Sequence, residues 1–171
     1  MKRKLIFSVV FLLLLYSPSH AAFWSKEAPI EEQIKLLEQY IKETDELNEE
    51  AAVYIGHADK LLQNPTTRIE VYKALSDAYE ASSETWQAFR KKKDAVPNDI
   101  RKDVRKKLSD GSDHYHLAYY SYRAFFKNMM DFIDTGSTKS QQKAIDERND
   151  AHQYEIIAKA FFKEAREDLK K

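Results

Sequence analysis

Histidine is the side chain here with the widest chemical reach, because it can bind a metal or move a proton near neutral pH. There are five histidines, and three of them, His57, His116 and His152, match in level along successive helical segments. Reflecting the chain about Pro65, Pro97 and Gly136 places these three within about two turns of one another along a helical-bundle axis. Helical bundles build metal centres from inward-pointing Glu-x-x-His pairs. The nearest matches are Asp113 with His116 and His152 with Glu155, and neither has the right residue types in the right order. Both His57 and His152 also stand beside the apolar stripe of their segments, not in it, so solvated surface histidine is the simpler expectation. Met129 and Met130 have the chemistry of haem axial ligands, but methionine at helical spacing ordinarily fills a core. Carboxylates are dense between Glu38 and Glu50, where Glu43, Asp45, Glu46 and Glu49 add to a solvated acidic face. A metal- or haem-binding bundle is thus the second reading. A hydrolase acting on an envelope polymer is the third, since catalytic triads assemble from residues distant in sequence.

Composition narrows the chemistry further. The chain has 171 residues, no cysteine and three glycines. Without cysteine there are no disulfides, thiolate metal sites or thiol nucleophiles. Three scattered glycines do not make a phosphate-binding loop or a nucleophile elbow. No cofactor is expected.

Two surfaces suggest binding instead. Basic residues gather where the second segment meets the third: Arg90, Lys91, Lys92, Lys93, Arg101, Lys102, Arg105, Lys106 and Lys107. In an up-down bundle the C-terminal lysines reach the same end, giving a basic pole for an anionic surface. The rival explanation is that these cations complement helix C-termini. The second surface is a pair, Leu117 and Tyr120, outside the wide aromatic arc of the third segment. Tyrosine is enriched at binding hot spots, so an exposed pair ringed by charges is a candidate partner contact.

The elements that must position these residues are marked by proline. Segments 29–64, 66–96, 97–135 and 137–171 each carry apolar residues at steps of three and four. The first runs through Ile30, Ile34, Leu37, Ile41, Ala51 and Ala58. The second runs through Tyr72, Leu75, Tyr79, Ser82, Trp86 and Phe89. The third includes Val104, Leu108, Tyr115, Tyr119 and Phe126, and the fourth Ala144, Ala151, Ala158, Phe161 and Ala165. Thr67 with Glu70 and Thr138 with Gln141 have capping-box spacing. Asp110-Gly111-Ser112 suggests a break or kink in the third helix, with Ser112 capping anew. Alternating strand patterns are missing. The expected fold is an all-α, antiparallel up-down-up-down four-helix bundle of long helices.

The N-terminus reads as an address. Lys2, Arg3 and Lys4 precede an apolar run from Leu5 to Tyr16, and Ser19-His20-Ala21 offers a cleavage site. Residues 1–21 are expected to be a signal peptide and 22–171 a single helical domain. The apolar run is shorter than the ~20 residues that span a bilayer, so the mature chain is expected to lack a transmembrane segment. Removing three basic residues leaves 25 against 28 acidic ones, a net charge of −3. That balance does not suit a nucleic-acid binder. The sequence therefore predicts an exported protein, periplasmic in a bacterium or else secreted. It is expected to act by non-catalytic binding to a protein partner in the cell envelope or outside it.

Overall fold

The computed structural model describes residues 27–171; the expected signal peptide lies outside them. Four helices account for nearly all of the described chain: α1 Ile30–Gln63, α2 Arg68–Lys92, α3 Lys102–Thr135 and α4 Thr138–Leu169. Consecutive helices pack against each other as an antiparallel bundle, most extensively α3 with α4, while α1 and α4 barely touch. The longest, at 34 residues, extend about 50 Å.

Local chemistry explains where the helices begin and end. Thr67 caps α2: its side chain accepts from the Glu70 amide, and the Glu70 carboxylate accepts from the Thr67 amide, closing the expected capping box. At α4 the cap is one residue earlier than expected. Ser137, not Thr138, accepts from the Ser140 amide. Gly136 is the reason for the shift. It takes a left-handed conformation (φ 68°) and its amide donates to the Phe132 carbonyl, so it terminates α3 and Ser137 is the first residue free to cap. Pro97 does not open α3. Residues up to Arg101 form a connection that buries Ile100 in the core, and the helix starts at Lys102.

The break expected at Gly111 does not occur. α3 runs unbroken through it, and Ser112 is fully buried, bonded to Tyr40 of α1 instead of capping a helix. Gly111 serves a packing role: a Cβ there would lie 3.1 Å from the Phe162 ring and 3.3 Å from the Ala158 carbonyl. The α3–α4 seam is built for such closeness. Ala144, Ala151, Ala158 and Ala165 recur every seventh residue along α4, all fully buried. Val104, Gly111, Ala118 and Phe125 recur likewise along α3, all buried. Antiparallel steps of seven from the Gly111–Ala158 contact set Ala118 opposite Ala151. The heptad spacing is that of coiled-coil packing.

The core divides into two connected clusters. Nearer the α1 N-terminus, Leu37 and Ile41 meet Phe89, Tyr115, Tyr119 and Phe162. Phe89 stacks on Tyr115 and Tyr119, with ring centroids 5.0 and 5.7 Å apart. Toward the other end, Val71, Leu75, Phe125 and Phe126 pack around Ala58 and Ala144, with Met129 and Met130 against them as core filler. Stripe members at the ends were misplaced: Ile30 and Ile34 are exposed, as is Tyr72, and Phe162 rather than Phe161 enters the core. On α2 the small residues Ala74 and Ala78 take the seam, and tyrosines such as Tyr72 keep their polar tips near water. Tyr40 ties three helices together. Its hydroxyl donates to the Lys92 carbonyl at 2.9 Å and accepts from Ser112 at 2.7 Å. Burial pushes its phenol up to about 12.

Candidate functional sites

Each surface of the bundle follows from which residues neighbouring helices leave uncovered. The basic pole is largely committed to the protein's own acceptors. Lys92 pairs with Glu43, lying over the Tyr40 ring, and Lys93 pairs with Asp113. Arg101 grips Asp103 and the Asp168 carbonyl, while Lys107 bridges Glu164 and Asp168. Arg105 holds Asn98, and Lys106 pairs with Asp110. Between Lys107 and Lys171, the Asp168 carboxyl is held down at about 2. Among the described residues, Arg90, Lys91 and Lys102 carry no ion pair and are exposed. The cations thus chiefly fasten the loop and helix ends to one another.

The three histidines are not brought together. His57 and His152 are exposed. His116 stacks on Trp86 of α2, with centroids 5.3 Å apart. Its Nδ1 donates to the Trp86 carbonyl at 3.0 Å, since that oxygen only accepts. Among the described residues, no three His, Asp or Glu side chains converge as metal ligands would.

The α2–α3 face carries more organisation than the sequence reading foresaw. Trp86 stacks on His116, and the Arg123 guanidinium lies over the Trp86 ring, 4.5 Å from its centroid. Arg123 also donates to Ser83 at 2.8 Å and lies beside the Tyr79 ring. Arg123 and Tyr79 in turn line an open hollow of about 440 Å³, together with Tyr120, Lys127, Asp131 and Lys143 among others. Tyr120 projects there, 55% exposed. Leu117 is half-buried, not exposed as expected, because α3 is flanked closely by both α2 and α4.

The crevice between α1 and α4 escaped the sequence reading. It has two compartments that share Asp59. One, about 350 Å³, is the more polar of the two, with Asn48, Tyr115, Tyr119, Tyr122, Glu155 and Lys159 in its walls. Tyr119 donates to Asn48 at 3.0 Å. Burial raises all three phenols above their ordinary range, and Glu155 pushes the same way. The other compartment, about 510 Å³, is mainly apolar and lies toward the Gln63 end. Between them Asp59 accepts from Arg148 at 2.7 Å. The Oδ1 of Asp59 is buried without a hydrogen-bond partner. Burial raises the Asp59 carboxyl, and Arg148 opposes that. A usable signal did exist in the sequence: Asp59 adjoins core Ala58 and Arg148 stands three residues before core Ala151, so opposite charges flank two facing stripes.

Compared with protein-family models, with curated proteins and with solved structures, the chain has no significant match.

Proposed function

We propose that this is an exported protein, periplasmic in a bacterium or secreted, that acts by non-catalytic binding to a protein partner in the cell envelope or outside it. The observation that carries this reading is the exposed phenol of Tyr120 at a preorganised, charge-rimmed hollow. A rigid aromatic anchor surrounded by polar groups is the usual make-up of an interface hot spot. The Trp86–Arg123 stack would hold the hollow in shape before the partner arrives, which lowers the ordering cost of association. Arg123, Lys127 and Lys143 outnumber Asp131 in its rim, so the complementary patch on the partner would be acidic. Arg90, Lys91 and Lys102 would add a salt-sensitive contact to an anionic surface. The N-terminal charge, apolar run and small residues support export.

A photo-crosslinking residue in place of Tyr120, expressed in the source cells, tests the reading. One discrete adduct in the envelope or extracellular fraction is expected, lost on Arg123→Glu and absent when the probe replaces Tyr72. No adduct, or the same adducts from both positions, would contradict it. N-terminal sequencing of the exported chain should begin at Ala22.

A further inference from the structure

We propose that the α1–α4 crevice is a binding site for an uncharged, elongated apolar molecule carrying one hydrogen-bond donor, with the donor on Asp59 and the apolar body in the compartment beyond it. This site is separate from the Tyr120 hollow and does not depend on the partner-binding reading.

Four observations carry the assignment. The first is size: about 510 Å³ lies within the ~300–1,000 Å³ of small-molecule sites. The second is lining. Leu62 of α1, Val71 of α2, Phe125, Met129 and Ile133 of α3, and Ile145 of α4 all face the space, so every helix contributes an apolar wall. Bundles place ligands between facing helices in this way. The third is an unmet valence: Asp59 Oδ1 is buried and accepts nothing. A buried acceptor without a donor is costly, and more so when it belongs to a charged group. A ligand donor would satisfy it once a turn of the Asp59 side chain brings that oxygen to the crevice.

The fourth observation is charge. Asp59 and Arg148 already neutralise each other at 2.7 Å, and Arg148 is steadied over the Phe125 ring at 5.4 Å. A carboxylate ligand would find that guanidinium occupied and would face Asp59 and Glu155. An ammonium would lie against Arg148. A neutral hydroxyl or N–H meets neither penalty, because it completes Asp59 without changing the charge of the site. The compartment on the other side of Asp59 is the more polar of the two and has tyrosine hydroxyls in its walls, so it suits the ligand's polar end better than the larger one does.

N-phenyl-1-naphthylamine provides the probe: it is uncharged, apolar and carries a single N–H, and its emission rises in apolar surroundings. The protein should bind one equivalent with enhanced fluorescence. 1-Decanol should displace it at least about tenfold more effectively than decanoate or decylamine, the cost of opposing one charged group being of that order. Ile145→Trp should abolish binding by filling the chamber. That residue is 47% exposed, so the fold should survive, as circular dichroism can check. Ile156→Trp, also on an exposed position of α4 but outside the crevice, should bind as the parent does. Asp59→Ala should weaken binding about tenfold. No enhancement in the parent, or undiminished binding by Ile145→Trp, would overturn the site. Equal displacement by decanoate or decylamine would overturn the choice of a neutral donor.

Discussion

Helix α4 meets its two neighbours in opposite ways. Against α3 it presents alanine every seventh residue, and the backbones approach until a methyl group at Gly111 would crowd the Phe162 ring and the Ala158 carbonyl. Toward α1 the contact is slight, and ion pairs span the gap, Arg166 with Glu38 and Arg148 with Asp59. The alanines of α4, with Gly111 and Ala118 facing them, draw two helices together. Tyrosine hydroxyls and charged flanks keep two others apart and leave hollows. One helix thus supplies both the rigid wall and the open crevice of the bundle. The exposed pair Arg166–Glu38 contributes only about 0–1 kcal/mol, and the Asp59 carboxyl is raised by burial despite Arg148, so the open side adds little to stability and is free to serve binding.

Substitutions can break or sharpen this contrast. The largest effect is expected at Phe162, buried under Gly111 in the tight seam and against Tyr115. Phe162→Ala should cost about 3–5 kcal/mol, read from the denaturant midpoint, whereas Ile145→Trp at the crevice should stay within about 0.5 kcal/mol of the parent. Similar losses at both positions would erase the distinction.

The same substitution at two glycines should have opposite signs. At Gly56, on the crevice side of α1, an added Cβ meets nothing within 4 Å. Gly56→Ala should therefore stabilise by about 0.5–1 kcal/mol through helix propensity alone. At Gly111 the added Cβ meets the Phe162 ring and a helix carbonyl. Overpacking there should outweigh the propensity gain, for a net loss of up to about 2 kcal/mol. Paired denaturation curves decide the matter, and two shifts of the same sign would contradict the account.

A smaller effect concerns pH. The Asp168 carboxyl has a folded-state value near 2 against an ordinary 3.8, because Lys107 and Lys171 favour its charged form. A depressed acid stabilises the fold above its unfolded value, and that support disappears as pH falls through the folded one. Acid titration of stability should thus show a loss between about pH 4 and pH 2 that shrinks in Lys107→Met. A parent and variant with identical acid profiles would remove this role. Asp59 works in the other direction, since burial raises its carboxyl. Its ionisation costs stability as pH rises, which is consistent with a charge placed for a ligand instead of for the fold.

Much of the architecture was legible because it is written locally. Pro29 at the start of α1, the Thr67–Glu70 capping box and the stripes through Leu37, Leu108 and Ala151 each follow from short-range backbone chemistry, whereas Pro97 stands before a connection and not a helix. The Gly111 break was misread for the same reason: local propensity says glycine weakens a helix, while only the opposing Phe162 and Ala158 show why glycine stands there. The crevice was illegible because it depends on how far apart α1 and α4 lie, a distance set by side chains from all four helices. Tyr115, Tyr119 and Tyr122 looked like filler, and as rings they are. Their hydroxyls acquire a role only where α1 stands away. The basic cluster was plain in the sequence, but its acidic partners Asp113, Glu164 and Asp168 lie on other helices or turns.

Hydrogen exchange resolved along the chain tests the central claim most directly, that α3 and α4 form a tight unit from which α1 stands partly free. Amides of α1 between Asn48 and Gln63 should exchange through a sub-global opening while those of α3 and α4 along the alanine seam exchange only with global unfolding. Equal protection of α1 and the seam, or earlier exchange in α3 and α4, would contradict it.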